Sequence, residues 1–303
     1  MKVFLTGASG WVGRHVVPEL LGRGHAVTAL ARSDAAVKHL ESRGVQAVRG
    51  SLEDLKVLFD ASREADAVIH LAYIHDFSDY GGKPAQIDYA AIRSMCSALE
   101  GSNKVIVCTS AITSQCQVET DRAFAGPRQE AEKVVFGFND KGVRTVVVRL
   151  SPSVHGDGDH GLISFFIQMA RAKGFTGYIG DGANTWSGVH VMDAARLYRM
   201  AIENHDLKAG TVLNGAEQHL EGTSFKDIQS IIAKRLDIPL KSFGSQEEAK
   251  EYFGGLTYFA NFNMKPSTQI TRDLTGWEPR EIGLLEDLET GEYFSTENTF
   301  WKE

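Results

Sequence analysis

The sequence has 303 residues, which is enough for one large α/β domain or for such a domain with a smaller lobe. Hydrophobic residues make up 43%, and the net charge of -7 argues against nucleic acid as the main partner, because that binding usually needs a basic surface. Three cysteines without metal-ligand spacing favour a reducing compartment. The sequence shows no apolar stretch of bilayer length and no signal sequence, so we expect a cytoplasmic protein without membrane contact.

Short apolar strands alternate with helices through the first half of the chain. Strands are predicted at residues 2–6, 25–31, 45–49, 67–72, 104–109 and 144–150, and helices at 13–22, 33–42, 52–63 and 129–137. Such alternation requires crossover connections and gives a parallel sheet. The first half is therefore predicted to be an α/β, doubly wound sheet of the Rossmann type.

The pattern loosens in the second half, where glycine-rich loops at 155–161 and 177–188 separate the helices. Helices are predicted at 162–173, 193–203, 224–236 and 283–294. Because no linker divides the chain, we expect residues 1–303 to form a single unit. In this unit, residues 1–152 mainly bind a dinucleotide, and residues 153–303 mainly form a small C-terminal substrate lobe with elements that return to the sheet.

A glycine-rich turn joins the first strand to the first helix. Glycine permits a tight turn and close approach of the backbone to a ligand, and the helix N-terminus directs N–H groups at a pyrophosphate. The context of strand, turn and helix is the one that dinucleotide binding requires. The predicted cofactor contacts in this segment are Thr6, Gly7, Ser9, Gly10, Trp11, Val12 and Gly13.

The residues after the second strand bear on the choice of cofactor. An acidic residue there would bind the ribose 2′-hydroxyl of NAD(H), whereas an arginine accommodates the 2′-phosphate of NADP(H). Arg32 and Ser33 occupy this position and favour NADP(H). NAD(H) stays open as an alternative, since Arg32 could also be a solvated charge at the start of a helix.

Several motifs along the chain are similar to those of one enzyme family. Besides TGASGWVG at 6–13, they are RGSLED at 49–54, VIHLA at 68–72, VCTS at 107–110, VRLSPSVHG at 148–156, VHVMDAA at 189–195 and LTGWEP at 274–279. With them the sequence resembles the extended short-chain dehydrogenase/reductase family, in its atypical, NAD-dependent epimerase/dehydratase-like branch. The resemblance implies a catalytic serine, Ser110, and these further cofactor contacts: Ser51, Leu52, Leu71, Ala72, Tyr73, Thr109, Arg128, Leu150, Pro152, Ser153 and Val154.

The sequence departs from this family at its proton relay, Y-x-x-x-K. In one register Arg128 takes the lysine position and Phe124 the tyrosine position, and in a shifted register Lys133 is the lysine and Gln129 replaces the tyrosine. Neither register contains a tyrosine. Arginine keeps its charge at all ordinary pH values, so Arg128 could bind ribose or stabilise an oxyanion but is a poor proton donor.

Other residues could replace the missing tyrosine. Ser110 is predicted to bind a substrate carbonyl, with a turn cap as the alternative. Tyr73 and His75 follow the fourth strand, at the sheet edge where ligands of such folds bind, and either could move a proton. Tyr73 could equally be a wall residue, and His75 could belong to a surface turn.

A loop at 155–160 holds the densest group of titratable residues in the chain. His155 and His160 are predicted to contact the substrate, and His155 to act in acid–base catalysis, because the family resemblance implies that this loop covers the nicotinamide. The spacing of the two histidines with Asp157 and Asp159 could suggest a metal site, but a loop does not fix ligand geometry, and we predict no metal. Trp186 is either an aromatic wall of the substrate site or a core residue.

These features predict an NADP(H)-dependent oxidoreductase that acts on a small or medium carbonyl or alcohol. A non-redox isomerase, dehydratase or rearrangement enzyme on the same fold is the first alternative, and an NADP(H)-sensing binding protein is the second. The expected partner is a small-molecule substrate, and a homodimer is compatible with the sequence.

Overall fold

The computed structural model describes residues 1–76, 79, 81–122, 126–217 and 222–295. Strands in these residues are β1 Lys2–Thr6, β2 Ala26–Ala31, β3 Gln46–Arg49, β4 Ala67–His70, β5 Val105–Ala111, β6 Arg144–Leu150, β7 Ser153–His155, β8 Thr176–Ile179, β9 Thr185–Trp186, β10 Gly188–His190, β11 Thr211–Gly215, β12 Thr223–Ser224 and β13 Leu240–Phe243. Helices are α1 Gly13–Gly22, α2 Asp34–Glu41, α3 Leu55–Glu64, α4 Lys83–Ala98, α5 Pro127–Phe136, α6 Leu162–Lys173, α7 Val191–Glu203, α8 Phe225–Leu236, α9 Gln246–Phe253, α10 Thr257–Ala260, α11 Gln269–Thr275 and α12 Leu284–Thr290. Short 3₁₀ turns occupy Asn139–Lys141, Gly254–Leu256 and Glu292–Phe294.

The central sheet confirms the predicted fold class. Its strand order is β11-β6-β5-β4-β1-β2-β3, and every neighbouring pair is parallel. The chain runs outward from β1 to β3 and then returns to β4 on the other side of β1. The connections therefore diverge between β1 and β4, and ligands of doubly wound folds bind in the crevice that this divergence opens.

Two hydrophobic layers cover the sheet because side chains alternate along each strand. Val3 and Leu5 of β1 face the layer that contains α1 and α7, while Phe4 faces the layer that contains α3, α4 and α5. In β5, Val107 faces the layer with α1 and α7, and Ile106 faces the layer with α3, α4 and α5. Burial on both faces explains why these strands read as continuous apolar runs in the sequence.

A separate aromatic core holds the second half together. Residues of α6, α8, α9 and α12 pack around Trp186. The ring of Trp186 stacks on Phe225 with centroids 5.5 Å apart and meets Phe166 edge-on at 5.6 Å. This half also contains three two-stranded pairs, β7 with β10, β8 with β13 and β9 with β12, and β7 directly follows the end of β6.

Most predicted elements are present with small shifts at their ends, and β6 and α6 match the predicted bounds. The sequence patterns do not predict the 16-residue helix α4, the sheet strand β11 or the helices α9 and α11. The proposed division near residue 152 remains a proposal, although β11 does return to the central sheet from the second half. No helix among the described residues is both long and apolar enough to cross a membrane.

Candidate active site

The glycine turn between β1 and α1 lies against the residues that follow β4. Gly7 has a φ of +78°, and a Cβ atom there would lie 2.7 Å from the backbone nitrogen of Ala72. A Cβ on Gly13 would lie 2.0 Å from the carbonyl oxygen of Gly7. Both positions therefore require glycine, because any side chain would push the turn away from β4 or from the start of α1.

The same turn offers hydrogen-bond donors to a ligand. Within the described part of the chain, no group accepts from the backbone N–H of Trp11 or Val12, and both precede the first turn of α1. Ser153 carries a buried hydroxyl that likewise has no partner among the described residues. Trp11 donates its indole N–H to the carbonyl of Val154 at 2.7 Å, so the segment that holds Ser153 borders the turn. These donors and the glycine cradle fit a dinucleotide pyrophosphate.

The residues predicted to select the cofactor lie at the end of β2. Arg32 is exposed, and no ion pair of its guanidinium occurs within the described ranges. The hydroxyl of Ser33 accepts from the backbone N–H of Ala36 at 3.1 Å and so caps α2. The neighbouring Asp34 pairs with Arg49 at 3.1 Å.

The other predicted cofactor residues come from the ends of β3 to β6. Ser51 donates its N–H and its hydroxyl to the carboxylate of Asp54, at 2.7 and 2.8 Å, and these bonds lower the pKa of Asp54. Leu52 and Leu150 are buried, and Leu71 and Pro152 are half-buried. Thr109 donates its hydroxyl to the carbonyl of His70 at 2.8 Å, which ties the ends of β4 and β5 together.

A buried chain of polar groups runs from the glycine turn to α5. The Thr6 hydroxyl lies 2.7 Å from Nδ1 of His70, and Nε2 of His70 lies 3.0 Å from the carboxylate of Asp88 on α4. The second oxygen of this carboxylate lies 3.6 Å from the guanidinium of Arg128. Because Thr6, His70 and Asp88 are buried, the chain couples the position of Arg128 to the cofactor turn.

The structure brings Arg128, Tyr73 and Ser110 together at the carboxyl edge of the sheet. Arg128 donates to the carbonyl oxygen of Thr109 at 2.7 Å, and its guanidinium lies over the ring of Tyr73, 4.4 Å from the centroid. The hydroxyl of Ser110 donates to the carbonyl of Arg128 at 3.3 Å. A cation, a phenol and a serine hydroxyl thus meet beside the glycine turn, which is an arrangement that can polarise a carbonyl and move a proton.

The two registers of the relay segment differ in where they place their cation. Lys133 has a side chain that is 66% exposed and pairs with Glu130 on the surface. Gln129 is buried and donates to the carbonyl of Ala111 at 3.1 Å. The geometry therefore favours the register in which Arg128 takes the lysine position. Phe124, the residue at the tyrosine position in that register, lies outside the described residues.

Two histidines lie near this group, His75 beside Tyr73 and His160 beside Trp11 of the glycine turn. Burial, followed by the charges of Arg128 and His160, lowers the pKa of His75, so its imidazole is neutral near pH 7. The rings of Tyr73 and His75 meet edge-on at 5.3 Å. His160 meets Trp11 of the glycine turn at 6.0 Å. Both histidines therefore remain candidates for substrate contact.

The prediction of a catalytic, substrate-binding His155 is wrong. Its side chain is 0% exposed, with Nδ1 2.8 Å from Asp287 and Nε2 3.4 Å from Glu217. Burial alone would lower the pKa of His155, but the hydrogen bonds and charges of the two carboxylates raise it to about 9. His155 is therefore a buried cation that joins the loop to the C-terminal lobe, and it has no free face for a substrate.

The remaining acidic residues of this loop have the same structural role. Tyr293 donates its hydroxyl to the carboxylate of Asp159 at 2.8 Å, and Asp157 accepts from the backbone N–H of Glu292 at 3.4 Å. On its other side the loop meets the glycine turn, since Arg14 donates to the carbonyl of Gly158 at 3.0 Å. Among the described residues, no group of three or more histidine, cysteine or acidic side chains is arranged to hold a metal.

Trp186 is a core residue in the structure, and its contact with a substrate stays a prediction. The side chain is 1% exposed and belongs to the aromatic core, and it also lines a small cavity together with Ser187, Glu217 and Met264.

Comparison with known proteins identifies the family. The profile of the NAD dependent epimerase/dehydratase family matches residues 3–215. The chain belongs to this family. It is 38% identical over 299 residues to the uncharacterized protein YLL056C of Saccharomyces cerevisiae, covering 95% of this chain and 98% of that protein. It is 27% identical over 218 residues to the 4-hydroxy-2-methyl-3-oxo-4-farnesyl-3,4-dihydroquinoline-1-oxide ketoreductase of Stigmatella aurantiaca, covering 67% and 65%.

A solved structure of similar fold is the UDP-glucose 4-epimerase of Thermotoga maritima in complex with UDP-glucose. It has a TM-score of 0.73 at 19% identity and covers 97% of this chain and 98% of that one. The family is one of NAD-dependent enzymes, so a nicotinamide dinucleotide is the cofactor class of the family.

Sequence reasoning missed Asp88. No motif marks it, and its helix was not predicted. A signal was present in retrospect, because an aspartate on the buried face of a helix needs a cationic or hydrogen-bonding partner.

Proposed function

We propose that this protein is an NADP(H)-dependent oxidoreductase that acts on small or medium carbonyl or alcohol substrates. The observation that carries the proposal is the meeting of Ser110, Arg128 and Tyr73 beside the glycine turn. The ketoreductase from Stigmatella aurantiaca, with which two thirds of this chain aligns, supports the same reaction class.

The preference for NADP(H) rests on the end of β2. Arg32 is exposed and has no ion pair within the described ranges, and the hydroxyl of Ser33 and the first N–H groups of α2 lie beside it. A 2′-phosphate placed there would gain a guanidinium partner and a helix N-terminus. The one nearby carboxylate on this helix end, Asp34, is paired with Arg49 and so repels a phosphate less strongly.

The roles of the side chains follow from their positions. The bound cofactor supplies or accepts the hydride. Ser110 exchanges its long bond to the Arg128 carbonyl for a bond to the substrate oxygen, and the guanidinium of Arg128 offsets the negative charge that develops on that oxygen. Tyr73 gives its phenolic proton to the oxygen as the carbonyl carbon gains the hydride, and solvent then restores the phenol.

The experiment that tests this proposal follows NADPH absorbance with a panel of aldehydes and ketones. We expect oxidation of one NADPH per carbonyl reduced. Replacing Tyr73→Phe should lower kcat by roughly 10²–10⁴-fold, the range of general acid catalysis, while NADPH still binds. Tyr258→Phe is the matched control, because Tyr258 is 67% exposed and lies on the C-terminal lobe.

Two outcomes would contradict the proposal. If no carbonyl oxidises NADPH, the reductase assignment fails. If a product of unchanged mass forms without cofactor consumption, the non-redox isomerase alternative replaces it.

A further inference from the structure

A single histidine joins three strand ends at the candidate active site. His70 is the last residue of β4 and is 3% exposed. Its side chain contacts Thr6, the last residue of β1, and Asp88 on α4. Its backbone carbonyl accepts from the hydroxyl of Thr109 on β5 at 2.8 Å. His70 therefore lies between the strand that leads into the glycine turn and the helix whose Asp88 faces Arg128.

The surroundings of the His70 ring fix which of its nitrogens carries the hydrogen. The carboxylate of Asp88 can only accept, so Nε2, 3.0 Å away, is the donor. The hydroxyl oxygen of Thr6 accepts from the backbone N–H of Ala72 at 3.3 Å, and the hydroxyl hydrogen can be donated to Nδ1, 2.7 Å away. A ring with its hydrogen on Nε2 thus satisfies both neighbours, and the hydrogen bonds run in one direction from Thr6 to Asp88.

Burial makes this arrangement rigid. Thr6 is 0% exposed and Asp88 is 1% exposed, so solvent has no access to either group. The second carboxylate oxygen of Asp88 lies 3.6 Å from the guanidinium of Arg128, which also donates to the carbonyl of Thr109. A shift of the His70 ring would move this carboxylate, and with it one of the groups that orient the guanidinium.

We infer that His70 is a positioning residue. It fixes the guanidinium of Arg128 through Asp88 and ties its orientation to the strand that enters the glycine turn. The inference rests on the proposed reductase function for its effect on kcat, and on the contacts of the buried side chains for the orientation of the guanidinium.

Two substitutions separate the hydrogen bonds of His70. Asparagine reaches about as far as Nδ1 and can still accept from Thr6, but it leaves Asp88 without its donor. Glutamine reaches about as far as Nε2 and can still donate to Asp88. With NADPH and the carbonyl of the panel that turns over fastest, we expect His70→Asn to lower kcat about 10- to 100-fold, as for a catalytic group misplaced by about 1 Å, and His70→Gln to stay within about threefold of the wild type.

His25→Asn is the matched control. His25 also has Nε2 close to a carboxylate, that of Glu203 at 2.8 Å, and its side chain is 8% exposed. It directly precedes β2, at the edge of the parallel sheet opposite to the end of β4. The control should lower the melting temperature as His70→Asn does, and leave kcat unchanged. An unchanged kcat in both variants would mean that His70 only stabilises the fold, and would overturn the inference.

A double-mutant cycle tests whether His70 acts through Asp88. If it does, breaking the bond of His70 to Asp88 adds little once the carboxylate has been removed. The kcat of His70→Asn/Asp88→Asn should then lie within about twofold of that of Asp88→Asn alone. Losses that multiply in the double variant would show that the two residues act independently, against the inference.

The guanidinium of Arg128 can also be observed without any reaction, by nitrogen-15 NMR of the arginine side chains. A held guanidinium gives separate signals for its two Nη atoms, because rotation about the Nε–Cζ bond is slow, whereas a freely rotating one gives a single averaged signal. Comparison with Arg128→Gln identifies the signals of Arg128. We expect separate signals in the wild type and in His70→Gln, and one averaged signal in His70→Asn.

This measurement separates the inference from the proposed function. The expected spectra support the positioning role of His70 even if no carbonyl is reduced and the reductase function fails. The same pattern of Arg128 signals in the wild type, His70→Gln and His70→Asn overturns the inference and leaves the reductase function standing.

Discussion

Asp88 is the charged residue beside the guanidinium of Arg128. It is buried between His70 and Arg128, at 3.0 and 3.6 Å. Asp88→Asn keeps the shape and removes the charge, so the guanidinium should lose its fixed orientation over Tyr73. We expect kcat to fall by about 10- to 100-fold, as for misplacement of a catalytic group by about 1 Å, with a smaller change in KM.

The test of this positioning role compares the steady-state kinetics of Asp88→Asn, Asp88→Glu and Asp60→Asn. Asp88→Glu, which restores the charge, should recover part of kcat. Asp60→Asn should behave like the wild type, because Asp60 lies on the surface of α3 and pairs with Lys56. A purely structural role of Asp88 would lower the melting temperature and leave kcat of the folded fraction unchanged.

Arg32 is expected to distinguish the two cofactors. Arg32→Gln removes the charge beside the predicted 2′-phosphate, so the Kd of NADPH should rise about tenfold or more, the value of one charge-assisted hydrogen bond. The Kd of NADH should stay unchanged, because it has no phosphate at this position. Fluorescence titration measures the Kd of each cofactor. Arg23→Gln is the control, because Arg23 is an exposed arginine that directly follows α1. Equal weakening of both cofactors would reject the role.

At the scale of single residues, Tyr73 and Ser110 could be predicted because they lie at the ends of β4 and β5, which read as apolar runs, and Arg128 because it takes the lysine position of the family's relay. The same reasoning failed for His155. A histidine in a loop looks accessible, and its two carboxylate partners lie 62 and 132 residues away in the chain. Local patterns carry no information about contacts over such separations.

At the scale of elements, the glycine turn is the part of the fold whose geometry is most restricted. Gly13→Ala would place a Cβ 2.0 Å from the carbonyl of Gly7. We expect the free energy of unfolding to fall by about 1–3 kcal/mol, as for overpacking elsewhere, and NADPH binding to weaken together with it. Urea denaturation and cofactor titration measure the two effects.

Gly22→Ala provides the control on the same helix. A Cβ at Gly22 meets no atom within 4 Å, and the residue is helical. This substitution should raise the free energy of unfolding by about 0.4–1 kcal/mol, because alanine loses less backbone entropy on folding. If Gly13→Ala is as stable as Gly22→Ala, the close approach within the turn is not required.

The elements of the sheet could be predicted because burial on both faces gives each strand an apolar run. Helix α4 could not, since its buried face contains Asp88 and small residues such as Ala85 and Ala91. Such a face gives a weak hydrophobic signal, although it packs closely against its neighbours. The residue that orients Arg128 was therefore missed together with its helix.

At the scale of the whole molecule, the C-terminal lobe is joined to the loop over the glycine turn by buried ionic contacts. His155 pairs with Asp287 at the N-terminal half of α12, and Tyr293 donates to Asp159. The sequence predicted a lobe folded onto the dinucleotide-binding half. The sequence could not predict that the loop at 155–160 holds the lobe. Asp287, which pairs with His155, and Tyr293, which donates to Asp159, each lie more than 130 residues from their partner in the chain.

This attachment should make stability depend on pH in a defined direction. The carboxylates of Asp287 and Glu217 raise the pKa of His155 from 6.5 to about 9 in the folded protein. The folded state therefore keeps a proton that the unfolded chain releases, and its contribution to stability is complete below pH 6.5 and lost as the pH rises to about 9. The free energy of unfolding from urea titrations should accordingly fall across this window.

Comparison with His155→Gln isolates this contribution from those of all other titratable groups. The variant should be less stable at pH 6.5, and its difference from the wild type should shrink as the pH approaches 9, by up to about 1.4 kcal/mol for each pH unit. His39→Gln, on the exposed face of α2, should follow the wild-type curve. A difference between wild type and His155→Gln that stays constant from pH 6.5 to 9 would mean that His155 is not a buried cation.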